Sequence, residues 1–169
     1  MTGVGNGRGI EGDDRPRLVA FFPFPDQDHR GEDFAGRDFR YGDLYCRGFV
    51  STNFRNAVLS HACVNSSDFD SADLSGVNLF QSNARLAYFR WANLAGAQLA
   101  YADVRRANFT GANLTGANLR QANCQESTFE GADLTGVDFT GADLRYADLT
   151  GATTTGVIWG NADTRHCKR

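Results

Sequence analysis

His61, Cys63, Cys46 and Asp43 are the residues of this chain whose types could hold a metal ion. Imidazole, thiolate and carboxylate together suit zinc, but a tetrahedral site needs ligands that converge on one point. The intervals between them lack the short paired spacings of zinc or thiol-redox motifs, so solvated surface side chains are expected, with no metal. His166 and Cys167 are the types of a base and its nucleophile, yet they sit on a short terminal segment that offers no frame to orient them. Aspartates are frequent, but acid–base work needs carboxylates in a cleft, and nothing in the pattern supplies an inserted loop to build one. No catalytic residue, metal or cofactor is expected, and the four cysteines, at 46, 63, 124 and 167, read as free thiols.

The elements that must position these residues are set by a period of five that starts at Phe34 and never slips. Every fifth residue reads Phe34, Phe39, Leu44, Phe49, Phe54, Leu59, Val64 and so on to Trp159 and Thr164, giving 27 repeats. Two residues earlier stands a small residue, as in Ala72, Ala92, Ala112 and Ala132, usually with Asp or Asn between. Five matches neither the 3.6 of a helix nor the 2 of a long strand, so each repeat must be a short extended piece plus a turn. The small residue and the following Leu or Phe point inward; the other three face water.

A longer period of twenty shows how many repeats close one coil. Phe49, Phe69, Phe89, Phe109 and Phe129 share it and form one column of the structural core. The neighbouring column, Leu44, Val64, Ala84, Val104, Cys124 and Leu144, is mostly smaller, which is volume compensation in a narrow interior. Gly36, Gly76, Gly96, Gly116, Gly136 and Gly156 have the same spacing, with Asn56 in the gap, so one corner is expected to need a positive φ. Asp and Asn alternate along several columns; like charges one coil apart repel while Asn ladders hydrogen-bond, so this reads as stability.

This pattern resembles the pentapeptide-repeat family over residues 32–164. The resemblance implies an all-β fold, a right-handed quadrilateral parallel β-helix, with about 6.75 coils here and a rod of about 32 Å at about 4.8 Å per coil. Three segments are expected: an N-terminal tail and hydrophobic cap at 1–31, the β-helix at 32–164 and a short basic tail at 165–169. Leu18, Val19, Phe21, Phe22 and Phe24 supply the cap's apolar face, and a short helix near Asp14 is compatible with it. Glu32, Arg37 and Arg47, in normally small positions, fit only near an end where side chains can escape. At the other end, either Trp159 closes the core or Val157, Ile158 and Trp159 meet a second copy as a homodimer.

Charge narrows the partners. The formal net charge of −3 is spread without a basic or acidic block in the body. Neither a secretory leader nor a membrane span is apparent, so a soluble cytoplasmic protein is expected. The resemblance implies an alternative, because the family's quinolone-resistance branch binds type II topoisomerase (DNA gyrase) by imitating DNA. Against it, Asn interrupts the acidic columns, and Arg85, Arg105, Arg145 and Arg165 run beside Asp103, Asp143 and Asp163. That same Arg column with Arg106 suggests weak direct nucleic-acid binding, which the alternating Asp disfavours. The primary expectation is a protein-binding scaffold with an unidentified protein partner. Its candidate sites are Leu86, Tyr88 and Trp91 on the face backed by the Phe column, and Phe80 with Tyr101 on the opposite face.

Overall fold

The computed structural model describes residues 28–169. Every parallel bridge, from Asp28↔Gly48 to Asp148↔Lys168, joins residues twenty apart, so four repeats make one coil. Among the described residues these are isolated bridges, one per repeat at the Asp/Asn position, with no longer strand. A turn every five residues leaves too little extended chain for more. The expected apolar cap lies outside the described residues.

Backbone hydrogen bonding explains the repeat residue by residue. In Thr52–Asn56, Asn53 N–H donates to Glu32 O of the coil before, while Phe54 N–H and Asn56 N–H donate to Asp73 O and Ser75 O of the coil after. Thr52 N–H closes a turn onto Phe49 O. The fifth donor, Arg55 N–H, is taken by the Asn53 side chain at 3.1 Å. Every donor is satisfied, as a buried or half-buried backbone requires. The Asp or Asn of each repeat is therefore chiefly an acceptor for the amide two residues on, and the expected side-chain ladder is confined to pairs such as Asn113 Nδ2 to Asn93 Oδ1, 3.1 Å.

The turns correct one expectation. A positive φ is needed at all four corners: Tyr41, Leu86, Trp91, Tyr101, Arg106 and Tyr146 adopt it alongside the glycines. With a bond from the fourth residue's N–H to the first residue's O, as in Ala57 to Phe54, this is a type II β-turn. The turn before the last differs, since Gly160 takes the positive φ in place of Asn161, while His166 resumes the pattern.

The four inward columns define faces I (Phe34, Phe54, Leu74 onward), II (Phe39, Leu59, Leu79), III (Leu44, Val64, Ala84) and IV (His29, Phe49, Phe69). On face IV the rings of Phe49, Phe69, Phe89, Phe109 and Phe129 stack with centroids 4.9–5.3 Å apart. The spacing follows from the coil repeat, and each offset pair adds about 0.5–1.5 kcal/mol beyond its buried area. His29 belongs to this column, stacked on Phe49 at 5.3 Å. The winding is thus already in register at Asp28, four residues before the expected start.

The C-terminal end also differs from the expected tail. Residues 165–168 continue the register, with Leu149 N–H donating to Lys168 O and the His166 ring stacked on Tyr146 at 4.7 Å. The expected exposure of Val157 and Trp159 is corrected: both are half-buried against the core, and only Ile158 is exposed. Trp159 stacks on Phe139 at 5.6 Å, with the Arg169 guanidinium over its other side. A cavity of about 240 Å³ remains beside it, lined by Leu149, Gly151, Ala152, Thr154, Trp159 and Arg169.

Candidate protein-binding site

The stretch Arg85–Trp91 runs from face III, around a corner and across face IV. Ala87 and Phe89 point inward and are fully buried, which forces Tyr88 between them to point out. Leu86 and Trp91 occupy the corners on either side. The three expected residues therefore lie on one rung, with Leu86 and Tyr88 each 44% and Trp91 62% exposed.

This rung carries three bulky outward side chains. Leu86 and Trp91 hold the positive φ of the corners, 59° and 57°, a region where a Cβ costs about 1–2 kcal/mol relative to glycine. Tyr88 stands where most repeats place Asp or Asn, so it cannot accept the amide of Arg90. Asp70, from the coil before, accepts it instead at 2.9 Å. The same carboxylate receives Arg90 Nε at 2.7 Å and Arg90 Nη2. Asp70 is buried, so this pairing is compact and directional.

Arg90, which sequence reasoning missed, is the centre of the rung. Its guanidinium carbon lies 5.5 Å from the ring centroids of both Tyr88 and Trp91. The hydrogen bonds that it donates to Asp70 raise its pKa above the ordinary arginine value. Asp70 stands twenty residues from Arg90, so the period already put the pair one coil apart, but not their contact. The Trp91 ring lies over Gly111, the next corner in its column, where a Cβ would sit 2.7 Å from Trp91 Cδ1.

The second expected cluster has another character. Phe80 and Tyr101 meet edge to face at 5.7 Å, and the run extends through His61 to Tyr41. His61 is thus an aromatic neighbour within a ladder whose inner rings are occupied by one another. Phe80 is half-buried, leaving Tyr101 and Tyr41 as the open members. Cys63 bridges Asp43 on one side and Asn83 on the other, and among the described residues no group of three or more His, Cys, Asp or Glu could hold a metal.

On face III three arginines are tied to the aspartate two residues before them. Arg105 Nε reaches Asp103 at 2.8 Å, Arg145 Nε reaches Asp143 at 2.9 Å and Arg165 Nε reaches Asp163 at 2.9 Å. The bond from Arg165 holds the Asp163 carboxyl down at about 2, and Lys168 does the same to Asp148. Cys124 is fully enclosed and burial pushes its thiol well up, which leaves it inert packing. Among the described residues no helix is long and apolar enough to cross a membrane.

Comparison with known proteins agrees with this geometry. The family model for pentapeptide repeats matches in 8 copies, over 49–76, 72–111, 87–125 and 112–151. The crystal structure of HetL, a pentapeptide repeat protein involved in heterocyst differentiation regulation from the cyanobacterium Nostoc sp. strain PCC 7120, is 23% identical with a TM-score of 0.50, covering 80% of this chain and 84% of that one. Rfr23 from the cyanobacterium Cyanothece 51142 is 24% identical, TM-score 0.45, covering 79% and 91%. QnrB1, a plasmid-mediated fluoroquinolone resistance protein, is 22% identical, TM-score 0.45, covering 82% and 88%. No curated protein sequence matches. At these identities the likeness concerns the fold alone.

Proposed function

This chain belongs to the pentapeptide-repeat family, and from that premise we propose that it is a non-enzymatic binding module whose right-handed four-sided β-helix presents the Arg85–Trp91 rung to another protein. One observation carries the reading. Two adjoining corners hold large apolar side chains and a tyrosine stands between them in place of an acceptor; Asp70 takes over the amide of Arg90, and Gly111 leaves room for the Trp91 ring. Trp, Tyr and Arg are also the types enriched in the energetic centres of protein interfaces. A rigid backbone adds that little ordering entropy is lost on docking.

The test is capture from a cell lysate by the immobilised protein, compared with Leu86→Ser/Tyr88→Ser/Trp91→Ser. The triple variant is expected to keep the same circular dichroism melt and lose the captured protein. Equal capture by both would overturn the reading. Inhibition of gyrase supercoiling, or DNA retention that falls with salt, surviving the triple substitution would move function to another face.

A specific feature also favours self-association at the C-terminal end. A core cavity beside Trp159 is lined by Leu149 and Ala152. In this reading a second copy covers that end, with exposed Ile158 at the margin of the contact. Light scattering at micromolar concentration should return a dimer mass that Trp159→Ser halves. A monomer mass for the wild type rejects it.

A further inference from the structure

The chemistry of the rung allows its partner to be specified further, and this step rests on the reading above. Outward residues along it alternate cation and apolar group: Arg85 beside Leu86, then Tyr88, then Arg90 beside Trp91. Arg85 is exposed, and among the described residues its side chain makes no ion pair within 4.0 Å, although its charge helps hold the Asp103 carboxyl down; its backbone is engaged, the N–H by Asn65 Oδ1 at 3.1 Å and the carbonyl by Ser66 N–H at 2.9 Å. Arg90 uses Nε and Nη2 on Asp70, and Nη1 has no hydrogen bond among the described residues. Its charge is fixed in place by a buried carboxylate and two rings. The other arginines of this region are spoken for: Arg105 by Asp103 and Arg106 by Glu126.

We propose that the partner is an acidic peptide segment of another protein. It lies extended across face IV, with one carboxylate at Arg85, one at Arg90 Nη1 and an apolar or aromatic side chain between them against Leu86, Tyr88 and Trp91. The two arginines stand one side of the coil apart, on the order of 10 Å at three extended residues per side. Carboxylates four positions apart share one side of an extended peptide with the residue midway between them, and their span of about 13 Å at about 3.3 Å per residue is within reach of two long arginine side chains. Asp68, bridged to Tyr88 from the coil before, disfavours a carboxylate at the centre of the peptide and so favours an apolar residue there. Carboxylate on a pre-held guanidinium is a charge-assisted contact that loses little mobility on forming.

The experiment is selection of a random twelve-residue peptide display library on the immobilised full chain, in parallel with Arg85→Glu, Arg85→Gln and the triple serine variant. Recovered peptides should carry Asp or Glu pairs flanking an aromatic or aliphatic residue. Synthetic copies should bind Arg85→Glu at least tenfold more weakly than wild type, Arg85→Gln by an intermediate factor and the wild type less well as salt rises. Arg85 lies on the surface without an ion pair, so both variants should melt with the wild type; if Arg85→Glu does not, Arg85→Gln alone decides. Failure to recover peptides, recovery without acidic enrichment or indifference to Arg85 overturns the inference. If the triple variant still loses its lysate partner in that case, the rung remains the binding site and only the acidic chemistry falls. If lysate capture is also unchanged, both fall.

Discussion

The Trp91 indole lies over Gly111, twenty residues on, so closely that a Cβ on the glycine would come within 2.7 Å of Cδ1 and 3.0 Å of Nε1. The glycine is therefore the floor on which the exposed ring rests, and it contributes to the site without touching a partner.

Gly111→Ala should consequently weaken binding from a distance. The change meets both the ring and a φ of 65°, where Ala costs about 1 kcal/mol relative to Gly. The Trp91 emission maximum should shift and peptide affinity should drop severalfold. Adding Trp91→Ser should recover part of the lost stability, because the collision disappears. A Gly111→Ala protein with unchanged Trp91 emission would contradict this contact.

Removing the apolar corner should stabilise the fold while abolishing capture. Leu86 holds φ of 59° and is 44% exposed, so Leu86→Gly relieves backbone strain and gives up little burial. A gain of about 1 kcal/mol is expected, read as a rise of about 2–4 °C in Tm. Trp91→Gly gains less, since the contact with Arg90 is lost. A residue placed for packing would behave in the opposite way, and a fall in Tm for Leu86→Gly would show that.

Acid should loosen the rod from its C-terminal coils. Asp148 and Asp163 titrate at about 2 in the folded chain, below the ordinary carboxylate value of 3.8, through bonds from Lys168 and Arg165. Asp143 is lowered by Arg145, and Asp133 by the Thr135 hydroxyl and amide. A depressed folded pKa contributes stability that is complete above about pH 4 and is lost as pH falls toward 2. These groups are half-buried with cationic partners that are mostly exposed, so screening keeps the effect modest and it shrinks in high salt. Thermal melts at pH 7 and 2.5 should show the loss, and Asp143→Asn/Asp148→Asn/Asp163→Asn should flatten it. Asn retains the oxygen that accepts the amide two residues on, so the triple variant should still fold at pH 7.

Ser82→Ala should raise stability. Ser82 occupies a position that is alanine in most coils, is buried, and its Oγ has no hydrogen-bond partner. Its counterparts differ: Thr52 Oγ1 donates to Phe49 O at 2.6 Å and Ser127 Oγ to Cys124 O at 2.6 Å. Relief of an unsatisfied buried hydroxyl is worth about 1 kcal/mol, whereas Ser127→Ala should be neutral or destabilising. Equal effects of the two substitutions in denaturant unfolding would refute the distinction.

Much of this architecture was legible because a repeat turns three-dimensional neighbours into a fixed sequence interval. Residues twenty apart stack, so the Phe49 to Phe129 column and the location of Leu86, Tyr88 and Trp91 on and beside its outer face follow from counting. Counting from Phe34 also leads back to His29, but a histidine in a phenylalanine column breaks the apolar signal, and the register was missed there. The same weakness hid residues 165–168, whose charged types suggested a tail although their backbone continues the coil.

Sequence alone determined the period, the inward columns and the rung on which the exposed aromatics sit, because those depend only on the interval between apolar residues. Tertiary structure decided what side chains do once they are stacked. It joined Arg90 to Asp70 from the neighbouring coil, laid Trp91 on Gly111 and bent every corner into positive φ. The physical reason is that backbone register repeats at a fixed interval, whereas side-chain direction and corner geometry depend on which atoms the next coil presents.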